Sequence, residues 1–288
     1  MGFGIKTNVA SLRAQRNIKL STETLNQSYQ RISSGLRVNR STDDAAGLAI
    51  AQSLRGDTRV SAVSTRNATD GISIISIADG AIGQISHVLT RLVELSEQSI
   101  NGAYSNQQRA ALQNEFSALL SEVERVAHTT TFNGLQLLSG GGGVSFQIGF
   151  DGTSLSQISF SGVQATLASL GLAAAGSSVS TYSIFGATEL ESQSASRLAL
   201  DAIKAAITSI TRNRGTLGAV ESRLGTTIRD LAVARENFQA AESAIMDIDV
   251  AAESAELSRS TVLQQAGTAI LAQANMQPRL ALQLLNDN

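Results

Sequence analysis

Apolar residues return along this chain at helical intervals towards both ends and at strand intervals only in the middle. Near the N-terminus Ile18, Thr22, Leu25, Tyr29, Ile32 and Leu36 alternate spacings of four and three. Ile74, Ala78, Ala81, Ile85, Val88, Leu92 and Leu95 repeat the pattern, as do Leu112, Phe116, Leu119, Val123 and Val126. Such spacing lays one apolar stripe along an α-helix. Further on, Ile203, Ile210, Leu217, Leu224, Leu231, Phe238 and Ile245 recur at one heptad position without a break. That run predicts a single helix of roughly 70 Å with a coiled-coil seam. The companion positions Ala206, Asn213, Val220, Thr227, Ala234 and Ala241 are mostly small or polar. They suit packing against helices of the same chain better than a two-stranded zipper.

From Ser139 the chain reads SGGGGVSFQIGFDGTSLSQISFSG, where glycine, serine and alternating apolar residues replace the heptads. Asp151-Gly152 is a hairpin signal. A two-residue turn would set Phe146 opposite Gln157 and waste the apolar face. A three-residue Asp-Gly-Thr loop sets Phe146 opposite Ile158 and Val144 opposite Phe160, and is the preferred register. ATLASLGLAAAG is expected as a short helix, and a Ser/Thr-rich stretch then leads into the long C-terminal helix. The four glycines resemble a phosphate loop only superficially, because no Gly-Lys-Ser/Thr follows. They are expected to be a flexible lead to the hairpin.

Composition sharpens this picture. The 288 residues include one proline (Pro278), no cysteine and no tryptophan. Disulfides, thiolate chemistry and cysteine-ligated metals are therefore excluded. The net charge of −2 is unevenly placed. Residues 1–66 carry ten Lys/Arg against four Asp/Glu, and residues 246–288 carry two against five. A basic arm can bind nucleic acid, but no stacking aromatics or groove-reading motif accompany it. Its charges are expected instead to face an acidic segment such as the C-terminus. STVLQQAGTAILAQANMQP, Ser260–Pro278, lacks any charge, but its glutamines and Asn275 are too costly in hydrocarbon for a membrane span. Met1–Leu20 lacks the apolar stretch of a signal peptide.

Candidate chemistry is sparse. His87 and His128 match no metal-ligand spacing, and neither a nucleophile elbow nor a dinucleotide fingerprint occurs. In STDDAAGLAIA, Asp43 and Asp44 read as first-turn carboxylates behind a Ser41 or Thr42 cap. Asn26, Asn39 and Asn67 open glycosylation sequons, which matter only in a secretory pathway. Nothing supports an enzyme.

KTNVASLRAQRN (Lys6–Asn17), RISSGLRVNRSTDDAAGLAIAQSLRGD (Arg31–Asp57), TFNGLQLLSG (Thr131–Gly140), LGAVESRLGTTI (Leu217–Ile228) and the uncharged C-terminal stretch together resemble bacterial flagellin. The likeness covers both ends of the chain in the right order and spares the middle. It implies a mainly α fold: a long coiled-coil-like bundle of paired N- and C-terminal segments, with a small central insert containing a β-hairpin. Residues 1–40 and 247–288 are expected as inner-layer helices of a filament. Residues 41–139 and 190–246 are expected as an outer helical rod, with 140–189 at its tip.

The resemblance also implies a function and partners. The chain is expected to be a self-assembling, extracellular filament subunit for swimming, without cofactor or metal. Export would be in unfolded form through the flagellar secretion channel, with a chaperone on the C-terminal helix. Hook-junction and cap proteins are further expected partners; nucleic acid binding and membrane insertion are not expected. A helix so poor in charge needs burial to be stable. The subunit interface is accordingly expected at Ile5, Val9, Leu12, Ile18, Leu25, Ile32, Val262, Leu263, Ala266, Ile270, Leu271, Leu280 and Leu284, ordered fully only on assembly. Gly35 and Asn39 are expected to form a joint between layers, with a reciprocal break near Met246–Val250. TRLVELSEQSIN, Thr90–Asn101, is similar to the segment recognised by Toll-like receptor 5, which implies contacts at Arg91, Glu94, Leu95 and Glu115. Val93 and Glu97 depart from that segment's usual residues. Two other readings are a hook–filament junction protein and an enzyme lodged in the insert; so short an insert without an HExxH motif argues against the latter.

Overall fold

The computed structural model describes residues 7–140 and 143–286, with the backbone alone over 277–286. Its helices are α1 (Val9–Ser34), α2 (Ala45–Ile100), α3 (Asn106–Thr129), α4 (Glu189–Met246) and α5 (Val250–Asn286). Strands β1 (Thr131–Phe132), β2 (Leu135–Gln136), β3 (Val144–Gln147) and β4 (Gln157–Phe160) lie between α3 and α4. The fold is thus mainly α with a small central β insert. Contacts gather the chain into two compact units, Met1–Thr58 with Glu236–Asn288, and Arg59–Arg235. The division falls inside α2 and α4, after the helix break at 35–44 and before the one at 247–249.

The larger unit is built on the heptads. On α4, Ile203, Ile210, Leu217, Leu224 and Leu231 are buried, and the helix runs for 58 residues, about 87 Å. On α2 the stripe is wider than the sequence suggested. Ile75, Ile82 and Leu89 are fully buried beside Ile74, Ala78, Ile85, Leu92 and Leu95. By length and composition α2 could cross a membrane, but its apolar side lies in this core. Small residues sit where large ones arrive. Gly71 faces both Leu224 and Phe146, and a Cβ there would meet their side chains at 3.1 and 3.2 Å. On α3 the buried apolar positions are Phe116, Leu120, Val123 and Ala127, so Leu112 and Leu119 only flank the core.

The insert belongs to the same core. Leu137, Leu138, Phe146, Ile158, Phe160, Leu167, Leu172 and Ile184 are all buried within it. The antiparallel register of β3 and β4 is the expected one, with Val144 opposite Phe160 and Phe146 opposite Ile158. The expected three-residue loop is not formed. Pairing stops at Gln147–Gln157, the N–H groups of Ile148 and Gly149 both donate to Ser156 O, and Ser154–Ser156 form a 3-10 turn. Asp151 organises this longer loop by accepting from the hydroxyls of Thr153 and Ser156. ATLASLGLAAAG is not a helix either. A single turn, closed by Leu170 N to Thr166 O, ends at Gly171, whose φ is +74°. Asn133 and Gly134, with φ of 48° and 78°, form the two-residue turn between β1 and β2. The Asn67 amide donates to Gln147 O at 2.9 Å, so that sequon nitrogen ties α2 to β3.

One buried charge pins the return of the insert to the α2–α3 elbow. Arg109 is fully buried; it donates to Ser99 O at 3.0 Å, Asn101 O at 2.9 Å and Glu189 O at 3.4 Å. Its cation thus meets the carbonyls at the end of α2, where the helix dipole is negative. Ser99 and Ser196 bind Ile184 O, and Gln113 Oε1 accepts from Ile184 N. At the start of α3, Ser105 and Gln108 form a capping box.

Candidate assembly surface

In the smaller unit α1 packs against α5. Their facing positions are Ser11, Ala14, Ile18, Ser21, Leu25, Ser28 and Ile32 on α1, and Glu253, Leu257, Ser260, Gln264, Gly267, Leu271 and Ala274 on α5, all buried or half-buried. Each set alternates spacings of three and four, the coiled-coil pattern, yet most members are small or polar. Their pairing is antiparallel. Asn8 donates to Ala274 O at 2.8 Å, Ser11 to Asn275 Oδ1 at 2.8 Å, and Gln264 to Thr22 Oγ1 at 3.1 Å. Arg31 meets Glu253 at 3.7 Å, a contact of the basic arm with the acidic C-terminal segment. A Cβ on Gly267 would meet Ile18 Cγ1 at 2.9 Å, so glycine permits the close approach.

This seam sorts the expected interface residues into two groups. Ile18, Leu25, Ile32 and Leu271 are half-buried between α1 and α5. Val9, Leu12, Val262, Leu263, Ala266 and Ile270 are exposed on the outer sides. Ile5, Leu280 and Leu284 lie outside the described residues. Tyr29, placed in the stripe by spacing, is exposed, because Ser28 takes the seam position beside it. The uncharged stretch therefore turns its serine, glutamine, glycine and alanine towards its own chain. Apart from Leu271, its larger apolar side chains, Val262, Leu263, Ile270 and Met276, remain in water.

The two helix breaks lie side by side. Gly35, with φ of 71°, ends α1 in the left-handed conformation, which glycine adopts without strain. Leu36 bridges Asp247, Arg37 N donates to Met246 O at 2.6 Å, and Ile248 N donates to Gly35 O at 3.2 Å. Val38, Ala51 and Met246 form a small core beneath them. The expected Ser41 or Thr42 cap is not used. Asp44 caps α2 by accepting from Gly47 N at 2.8 Å. Asp43 instead accepts from Arg40 N at 2.9 Å and Asn39 N at 3.1 Å. Those N–H groups, Arg40 first, hold its pKa below the ordinary aspartate value. Asn39 is thus engaged through its backbone.

On the other unit, Arg91 donates to Glu94 at 2.8 Å and to Glu115 at 2.9 Å. Both pairs, Glu94 first, raise its pKa above the usual arginine range. These three side chains are exposed together, whereas Leu95 is fully buried and supports the face from beneath. His87 is exposed and His128 pairs with Glu124 at 3.0 Å. No group of metal-binding side chains occurs among the described residues.

Residues 5–142 match the model for the bacterial flagellin N-terminal helical region, and residues 200–285 that for the C-terminal helical region. A flagellin of Halalkalibacterium halodurans is 38% identical over 282 residues, covering 98% of this chain and 99% of that protein. A Bacillus subtilis flagellin is 35% identical over 305 residues, with the same coverage. A flagellar filament 30.7 kDa core protein of Treponema maltophilum is 33% identical, again over 98% of this chain and 99% of its own. Among solved structures, a Vibrio parahaemolyticus protein provisionally assigned as hook-associated matches 71% of this chain and 99% of its own, with a TM-score of 0.59. At 13% identity that likeness concerns the fold alone. With both terminal regions matched in order and relatives aligned almost end to end, the chain belongs to the bacterial flagellin family.

Proposed function

We propose that this chain, a filament subunit by its family, assembles through the outer faces of α1 and α5 into an extracellular flagellar filament that drives swimming. The observation that carries this reading is the division of the paired helices. Their seam uses small and polar residues, while Val9, Leu12, Val262, Leu263 and Ile270 stand in water. Covering each large apolar side chain contributes up to about 1.5–3 kcal/mol, a gain that only a further surface provides. Residues 1–40 and 247–288 are assigned to the inner layer, 41–139 and 190–246 to the outer layer, and 140–189 to its tip. The chain is exported unfolded through the flagellar channel, with a chaperone covering the apolar side of α5 beforehand, and meets hook-junction and cap proteins at the filament ends. Gly35 and Asn39 mark the joint where subunits switch between filament forms. Arg91, Glu94 and Glu115 present a face to Toll-like receptor 5.

Seeded polymerisation of the purified chain, followed by electron microscopy, tests the central statement. Wild type is expected to grow filaments, and Val262→Asp with Ile270→Asp to remain monomeric with the larger unit intact. Filaments from the double variant would refute the assigned surface. Gly35→Ala is expected to alter filament curvature. A receptor reporter is expected to respond less to Arg91→Ala than to wild type.

A further inference from the structure

The chain contains three methionines. Met1 lies outside the described residues. Met246 is 5% exposed in the small core with Val38 and Ala51, whereas Met276 is 57% exposed. Met276 stands two heptads beyond Val262 on α5, so both project from the same side. Among the described methionines, the thioether open to oxidants is thus the one on the outer apolar face.

A thioether reacts with hydrogen peroxide by oxygen transfer. The O–O bond breaks, one oxygen bonds to Met276 Sδ, the sulfur is oxidised by two electrons, and the other oxygen leaves as water. The product is a polar sulfoxide and a strong hydrogen-bond acceptor. Water solvates it on the free subunit, but a second copy docking there strips that water away. We infer that Met276 is a redox-sensitive brake on self-association: peroxide oxidation of the free subunit opposes docking of a second copy, and docking shields the sulfur. This inference rests on the filament reading above.

The full chain is treated as a monomer with hydrogen peroxide, cleared of it, and seeded. The critical concentration for polymerisation is expected to rise about tenfold or more, the cost of one buried acceptor without a donor. Met276→Leu, close in volume and without sulfur, is expected to polymerise equally well before and after peroxide. Peptide mass mapping is expected to find Met276 oxidised in the monomer and spared in the filament. Failure of untreated chains to polymerise would sink the filament reading. Normal polymerisation with equal oxidation of Met276 in both states overturns the inference alone. So does undiminished assembly of oxidised chains, or loss of assembly by peroxide-treated Met276→Leu.

Discussion

Glycine inside a helix is less stable than alanine by about 0.5–1 kcal/mol, so each helical glycine calls for a reason in its surroundings. Gly71 has one: Leu224 and Phe146 enter where its side chain would be. Gly71→Leu is expected to lower stability by about 1–3 kcal/mol through overpacking, read from urea denaturation. Gly80 and Gly83 have open space around them, so alanine at either is expected to raise monomer stability by about 0.5–1 kcal/mol. Arg109 carries a different burden. Arg109→Met removes the donor from three carbonyls, costing about 1–3 kcal/mol for each one left buried and unpaired. Arg109→Lys is expected to recover only part of that, since an ammonium cannot span all three. Asp43 gives a pH signature. Its folded pKa is lowered by the Arg40 and Asn39 N–H groups, so its contribution is full above the unfolded value and lost as pH falls through the folded one. An NMR titration is expected to place its midpoint below the ordinary aspartate range, and Asp43→Asn to remove that acid sensitivity.

Among the elements, the α1–α5 pair is the most unusual. Two heptad seams of small and polar residues bring the backbones close while burying little apolar surface, and the polar contacts set the register more than they add stability. At Gly267 the Ile18 side chain enters the space a Cβ would take. Gly267→Leu is expected to part the helices, shown by faster amide exchange across Val9–Ser34 and loss of seeded polymerisation. The melting of the larger unit should be unchanged, because its core lies within residues 59–235. The β3–β4 hairpin shows the opposite economy. Its side chains alternate into the helical core, so the pleat decided the register even though the connecting loop differs from the shortest one that register allows.

For the whole molecule, the main consequence is a difference between free and assembled chains. The α1–α5 pair has little apolar seam to hold it closed, whereas the larger unit has a continuous core. Limited proteolysis is expected to trim residues 7–34 and 250–276 from the free subunit much faster than Arg59–Arg235. Assembly into filaments should protect all of them. Equal resistance of the ends in both states would contradict a surface completed by neighbouring copies.

The repeating apolar positions were enough to specify long helices, the α4 seam and the hairpin register, because periodicity reports which face of an element avoids water. The Asn133-Gly134 turn carried a readable signal that the periodicity did not consider. Choices between chemically similar surfaces needed the folded chain. Spacing alone favoured Tyr29 for the α1 stripe over Ser28, and it did not single out Ser260, Gly267 and Ala274 as the residues of α5 that meet its own chain. The cap at Asp44, the loop ordered by Asp151 and the buried Arg109 likewise depend on donors and carbonyls that tertiary packing places. A sequence pattern ranks how strongly each residue avoids water; only three-dimensional packing decides which of several apolar or small faces finds a partner within the same chain.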